Sequence, residues 1–388
     1  MRSTRKVLIS GAIIAIFLCL PAVPQAFARK APLAQTPPMG WNDWYQYKCT
    51  ISDAIVRANA DALVSTGMKA AGYTYISIDD CWQGERDAKG RIQPNSRFPN
   101  MKALAHYIHK KGLKFGIYSS PGPKTCAGYE GSYGHEEQDA RTYAHWGVDL
   151  LKYDWCSARK VYTPDQMQAA YKKMGDALKS TGRPILYSLC QYGLEGVWQW
   201  GASVGGNMWR TTDDIGGDYD RVSMFGFMQD GLAPYAGLGH WNDPDILQIG
   251  IGKLDHDEEV TQMSLWCILA APLQAGNDLE HMKPETLAVL TNPEVIAVDQ
   301  DPAGVEGHRA WQQGPLEIWV KPLIEGSHAV GLFNRGIGPL PITVDFQYIG
   351  LPDTVDVRDL WARKDLGTFH GSYTATVPPH GAILLKVQ

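Results

Sequence analysis

Between residues 36 and 278, eight apolar, strand-like runs alternate with helix-like segments, and each run stops at or just past a polar residue. The runs cover 39–44, 73–80, 113–119, 148–154, 184–190, 208–214, 240–245 and 272–277. Their last residues (Trp44, Asp80, Ser119, Asp154, Cys190, Asp214, Asp245 and Asn277) follow one another at intervals of 24 to 39 residues. Connections of that length fit a helix crossing back to a parallel strand and are too long for tight hairpins. Eight such units predict an α/β fold of the (β/α)8 TIM-barrel type. The intervening segments agree: in 52–69, Ile55, Val56, Ala60, Leu63, Val64 and Met68 recur at helical spacing, with Ser52 placed to cap and Gly67 or Gly72 to terminate. Further helices are expected at 101–111, 136–146, 164–180, 218–231, 257–269 and 283–290. A doubly wound open sheet is the structural rival, but the phosphate loop usual after its first strand is missing, since neither GxGxxG nor GxxxxGK[ST] occurs.

Past Asp301-Pro302 the period changes. Short alternating runs at 316–320, 328–333, 342–346, 354–359, 373–377 and 383–387, separated by Gly, Pro, Ser and Asp, predict an antiparallel β-sandwich. The expected organisation is therefore a leader at 1–28, a catalytic barrel at 29–300 and a sandwich at 301–388. The leader carries Arg2, Arg5 and Lys6, an apolar run at 7–20 and Ala26-Phe27-Ala28, the pattern of a cleaved secretory signal peptide. The apolar run is too short for a retained membrane anchor, so a secreted or periplasmic protein without membrane attachment is expected. A net charge of -5 and a pI near 6.1 leave no basic surface for nucleic acid.

Seven cysteines fall to six after leader cleavage, and export permits disulfides. Cys49 with Cys81 and Cys126 with Cys156 are plausible pairs, each member lying just past a predicted strand, which leaves Cys190 and Cys267 as free thiols. No CxxC is present, and His106 and His109 sit beside Lys110 and Lys111 as surface histidines would, so no metal site is expected.

In a barrel the carboxyl ends of the strands converge on one mouth. Trp44, Asp79, Asp80, Lys152, Asp154, Cys190, Arg210, Asp214, Asp243 and Asp245 would meet there. Within Leu150-Leu151-Lys152-Tyr153-Asp154, Lys152 and Asp154 are two apart and face the same way on a strand. A cation there would keep the carboxylate ionised with a lowered pKa, the state a nucleophile needs, although an internal ion pair would show the same residues. In Arg210-Thr211-Thr212-Asp213-Asp214 the strand period puts Asp214, not Asp213, on the face of Arg210. Two carboxylates on different strands facing one cavity are the minimal equipment for glycoside hydrolysis. Thirteen Trp and eighteen Tyr could stack on sugar faces.

Several motifs then occur in order: Met39-Gly40-Trp41-Asn42-Asp43-Trp44, Ile78-Asp79-Asp80-Cys81-Trp82, Gly116-Ile117-Tyr118, Lys124-Thr125-Cys126-Ala127-Gly128, Leu151-Lys152-Tyr153-Asp154, Tyr187-Ser188-Leu189-Cys190, Trp209-Arg210-Thr211-Thr212-Asp213-Asp214 and Trp241-Asn242-Asp243-Pro244-Asp245. Together they resemble glycoside hydrolase family 27, the α-galactosidase and α-N-acetylgalactosaminidase family. The resemblance implies a retaining enzyme with Asp154 as nucleophile and Asp214 as acid/base. It implies that Asp79 and Asp80 bind the 4- and 6-hydroxyls, Lys152 the 3- and 4-hydroxyls, and Arg210 and Asp245 the region of the 2- and 3-hydroxyls, with Trp44 and Tyr118 as walls. It also implies the two disulfides above and no metal or organic cofactor.

Cys190-Gln191-Tyr192 stands where the family commonly has Cys-Glu-Trp, and Ile246 where it has Met. The resemblance puts both places beside the sugar's 2-position. Bulky Tyr192, with Cys190 and Gln191, occupies the loop in which the N-acetylgalactosaminidases carry small residues, so an α-galactosidase is the expectation. Its alternatives are α-N-acetylgalactosaminidase, β-L-arabinopyranosidase and a carbohydrate-binding protein without chemistry.

Overall fold

The computed structural model describes residues 32–388, so the expected signal peptide lies outside the described residues. Eight parallel strands make one sheet: Met39–Asn42, Tyr75–Ser77, Lys114–Ser119, Leu150–Asp154, Leu186–Cys190, Met208–Arg210, Trp241–Asp243 and Leu273–Ala275. The first seven pair in sequence order, and the eighth pairs with the first through Met39 and Leu273. A bridge between Leu247 and Ala275, just past the seventh strand, closes the remaining side. This is the barrel that the spacing predicts.

Strand alternation sorts the inward side chains into layers. The first residues of five strands, Tyr75, Leu150, Leu186, Met208 and Trp241, cluster with Ala270 as an apolar floor. One step up, two residues along each strand, come Ser77, Lys152, Ser188, Arg210 and Asp243, polar residues that line a cavity over the floor. The outward residues between them, Ile76, Leu151, Tyr153, Tyr187, Leu189 and Trp209, join the large core beneath the helices. The first and second strands approach closely: a β-carbon on Gly40 would lie 2.5 Å from the carbonyl oxygen of Tyr75, so no larger residue fits there.

The helices follow their sequence signals. Asp53–Ser65 is capped by Ser52, whose hydroxyl accepts from the Ile55 amide at 3.4 Å, and Gly67 follows at φ +89°. Asn100 and Asp218 cap Met101–Lys110 and Tyr219–Phe227, and Asp255 forms a capping box with Glu258 on His256–Ile268. No helix among the described residues is long and apolar enough to cross a membrane.

Several observed strands are shorter than their sequence runs. The first stops at Asn42 and the short helix Trp44–Tyr47 begins, the second stops at Ser77 and the sixth at Arg210. Residues 78–80 read as strand because Ile78 continues the apolar run, but burial alone supplies that pattern, and the strand ends at Ser77.

The C-terminal region has a six-stranded antiparallel sheet against a two-stranded one, Leu340–Asp345 with Ser372–Val377. Its outermost strands, His308–Gln313 and Lys364–His370, were not predicted. Edge strands pair on one side only and tolerate polar residues on both faces, so the alternation used to find strands is weak in them. The helix Pro293–Asp299 and the hairpin of Gln83–Arg86 with Ile92–Pro94 were also missed. The sandwich packs on the barrel helices: Phe227 meets Phe333 and Trp319 edge-on at 5.2 and 6.0 Å, and Trp361 donates its indole N–H to Ser264 at 2.8 Å.

Candidate active site

The polar ends of the barrel strands form a recess lined by Trp44, Tyr45, Asp79, Asp80, Tyr118, Cys126, Lys152, Asp154, Tyr192, Arg210, Asp214, Asp245 and Ile246. Ten of the eleven predicted catalytic and binding residues are therefore brought together, the exception being Cys190. Cys190 is in register with Asp154 on the adjacent strand and points inward, but it is buried behind the recess with its sulfur 3.8 Å from Arg210 Nη1. The structure makes it support for Arg210 instead of a lining group.

Asp79 and Asp80 follow the second strand, and each accepts local backbone amides. Asp79 Oδ1 accepts from the Asp80 amide at 2.9 Å, and Asp80 Oδ1 from the Cys81 amide at 2.7 Å. The other oxygens differ: Asp79 Oδ2 takes Lys152 Nζ at 2.8 Å and Asn42 Nδ2 at 2.9 Å, while Asp80 Oδ2 takes the Ala127 amide at 2.8 Å. Asp43, missed in the sequence, orients the pair from behind by accepting the Asp79 amide at 2.6 Å. The turn has a cost: Cys81 adopts φ +77°, uncommon for a residue with a side chain, and its disulfide to Cys49 anchors it with 5.2 Å between α-carbons.

Asp154 ends the fourth strand nearly removed from solvent, at 5% exposure. Both oxygens are held by phenols: Oδ2 by Tyr118 at 3.1 Å and Oδ1 by Tyr192 at 2.5 Å. The expected depression of its pKa by Lys152 is overturned. Burial dominates and pushes the carboxyl up to about 6, opposed by Lys152 and by the Tyr192 hydrogen bond and reinforced by Asp79 and Asp214. Lys152 bonds Asp79 directly and reaches Asp154 only through its field.

Across the recess Arg210 collects the remaining acids. Its guanidinium is 3.0 Å from Asp245 and 3.2 Å from Asp214. Tyr45, another residue missed in the sequence, donates to Asp245 at 2.6 Å, and the Ile215 amide donates to the same oxygen at 2.8 Å. Asp245 sits at φ +98°, so its orientation is imposed by these partners. Asp214 is in the recess, yet the strand-period argument for it does not apply: the strand stops at Arg210, and a turn carries the chain onward. Asp214 keeps 53% of its side chain exposed toward the mouth, whereas Asp213 is 72% exposed and turned toward Arg221 at 3.8 Å.

The disulfide Cys126–Cys156 borders the site, and Cys190 and Cys267 are buried free thiols, as the sequence predicts. The Cys126 and Cys156 sulfurs and an Asp154 oxygen converge within 4.8 Å, but both sulfurs belong to one disulfide and offer no thiolate to a metal.

The family profile described as Alpha galactosidase A matches residues 36–301, and that of the Alpha galactosidase C-terminal beta sandwich domain matches residues 313–387. Alpha-galactosidase A of Cellvibrio japonicus is 41% identical over 402 residues, covering 97% of both chains. A probable alpha-galactosidase of Dictyostelium discoideum is 44% identical, covering 92% of this chain and 93% of its own. The crystal structure of alpha-galactosidase I from Mortierella vinacea superimposes with a TM-score of 0.86 at 36% identity over 92% of this chain and 98% of that one. With its barrel, its sandwich and the acids at its mouth, the chain belongs to the α-galactosidase family, glycoside hydrolase family 27.

Proposed function

We propose that this protein is a retaining α-galactosidase that removes terminal α-linked galactose by double displacement, with Asp154 as nucleophile and Asp214 as acid/base. The carrying observation is the pairing of a buried carboxylate held by two phenols, Asp154, with a half-exposed carboxylate on Arg210, Asp214, in one recess. In the first step a carboxylate oxygen of Asp154 bonds to the anomeric carbon as the glycosidic bond breaks, and Asp214 gives its proton to the departing oxygen. In the second, water attacks the anomeric carbon, the ester to Asp154 breaks, and the water's proton returns to Asp214. The exposure of Asp214 toward solvent suits a group that meets varied leaving groups.

The Asp79–Lys152 pair and Asp80 present acceptors and a donor on one side of the recess, as an axial 4-hydroxyl and its neighbours require. Arg210 and Asp245 face the 2- and 3-hydroxyls, with Trp44 and Tyr118 as walls. Export to the periplasm or outside the cell follows from the N-terminal sequence pattern. Purified mature protein should hydrolyse p-nitrophenyl α-galactoside, and proton NMR should detect α-galactose as the first product. β-Galactose first would overturn retention, and no hydrolysis would return the chain to the carbohydrate-binding reading.

A further inference from the structure

Tyr192 stands two residues beyond the fifth strand in a backbone conformation that a tyrosine seldom adopts, φ +65°. The turn is pinned from both sides: the Gly193 amide donates to the carbonyl of Arg210 at 3.0 Å and to the side chain of fully buried Gln191 at 2.8 Å. This aims the phenol at one target. Its oxygen lies 2.5 Å from Asp154 Oδ1, and the Cys126 and Cys156 sulfurs flank it at 3.6 and 4.0 Å. The Arg210 guanidinium carbon lies 5.9 Å from the ring centroid. A wall residue needs only to fill space, and backbone strain spent on placing one hydroxyl against one carboxylate oxygen points to a role in the chemistry.

We infer that Tyr192 is a positioning residue for the nucleophile: its hydroxyl holds Oδ1 of Asp154 as the non-attacking oxygen and leaves Oδ2, the more loosely held one, to bond the anomeric carbon. The inference rests on the assignment of Asp154 as nucleophile. Among the described residues Oδ2 has only the 3.1 Å bond from Tyr118, which can be surrendered as the new bond forms. The Tyr192 bond also changes strength along the reaction. It is strong to a free carboxylate and weaker to the uncharged carbonyl of the glycosyl ester. Tyr192 therefore stabilises Asp154 as a leaving group in the second step more than it assists attack in the first.

The charged and polar neighbours facing Asp154 are Lys152 on its own strand, Asp79 beyond the second strand, Tyr118 on the third, Tyr192 beyond the fifth and Asp214 beyond the sixth. Removing the Tyr192 hydroxyl leaves the others in place. Because that bond favours the ionised form, its loss raises the pH at which the free carboxylate becomes available.

The test is Tyr192→Phe, which deletes one oxygen and keeps the ring; Tyr192→Met serves if the phenylalanine variant does not fold. On an activated aryl α-galactoside, kcat and KM should fall together, kcat by roughly tenfold, as loss of a hydrogen bond to a charged group implies. The covalent intermediate should build up as a burst of aryl alcohol. The acid limb of kcat/KM should move to higher pH by about half a unit or more, as the same loss implies. A merely structural role would lower kcat/KM or the melting temperature and leave the limb in place. An unmoved acid limb with no burst would overturn the inference. Failure of the wild-type protein to hydrolyse the galactoside would instead refute the assignment of function on which it rests.

Discussion

Arg210 Nη1 binds Asp245 Oδ1 at 3.0 Å with both side chains nearly removed from solvent, so the last residue of the sixth strand and the acid beyond the seventh strand form one unit. A buried guanidinium and carboxylate depend on each other, since removal of one leaves an uncompensated charge. Arg210→Met should cost about 3–5 kcal/mol of stability and abolish detectable turnover. Arg210→Lys keeps the charge but loses the fork that reaches Asp245, Asp214 and the Thr212 carbonyl. It should fold and lose roughly 100-fold in kcat/KM. Thermal melts beside steady-state kinetics separate the two effects, and a lysine variant with wild-type kcat/KM would remove Arg210 from substrate binding.

The acids beyond the sixth strand should behave unequally. Asp214→Asn is expected to cost several orders of magnitude on galactosides with poor leaving groups and much less on activated ones, because an acidic leaving group needs little protonation. Asp213→Asn should stay within about tenfold of wild type on both, since its carboxylate faces solvent and Arg221. The acid limb of wild-type kcat/KM should centre near pH 6, where burial places Asp154. Swapped effects of the two variants would move the acid/base role to Asp213.

Substrate choice at the 2-position should follow Tyr192. Its ring and hydroxyl lie between Arg210 and Asp154 in the region assigned to the 2-hydroxyl. An acetamido group there would clash, and a clash adds a penalty where a missing contact only removes a gain. The ratio of kcat/KM for p-nitrophenyl α-galactoside over its N-acetylgalactosaminide should be at least about 100. Equal values would mean that the loop yields to the larger sugar.

Thiol counting tests the disulfides. Denatured, unreduced protein lacking the leader should titrate two thiols, Cys190 and Cys267. Cys126–Cys156 closes a separation of 30 residues and should contribute about 3–4 kcal/mol in the chain-entropy account. Its reduction should lower activity as well as stability, because both sulfurs flank the Tyr192 hydroxyl. Six titratable thiols would refute both bonds.

Glu306, between barrel and sandwich, gives a pH signature unrelated to catalysis. One oxygen accepts from Asn242 at 2.7 Å, the other has no partner among the described residues, and burial pushes the carboxyl from 4.5 up to about 8. A folded-state pKa above the unfolded one means that the contribution is complete below about 4.5 and is lost as pH rises through about 8. Glu306→Gln keeps the acceptor for Asn242 without the ionisation. It should therefore be more stable than wild type by several kcal/mol near pH 8.5 and nearly equal at pH 4.5. Melts across that range check it, and parallel curves would show that Glu306 is ionised in the folded protein.

Legible in the sequence were the barrel, the sandwich and most of the groups that line the recess. Eight runs at helix-spanning intervals admit few closed arrangements, and the polar residues at their ends have one mouth to share. The capping residue Ser52 was legible because capping is a local hydrogen bond, settled within three residues. The polar edge strands were not, since what makes them strands is a partner distant in sequence.

The tertiary structure alone decided the electrostatics and the aim of each group. Lys152 is two residues from Asp154 yet bonds Asp79, 73 positions away, and burial then lifts the pKa that the local pattern said should fall. Asp214 enters the recess by a turn instead of a strand face, and Cys190 faces inward but stops behind Arg210. Tyr45, Asp43 and the hydroxyl of Tyr192 act on acids that only folding brings within reach. Sequence spacing specifies which side chains share a face; desolvation and the distances between faces depend on the packing of the whole barrel, and these set protonation and hydrogen-bond partners.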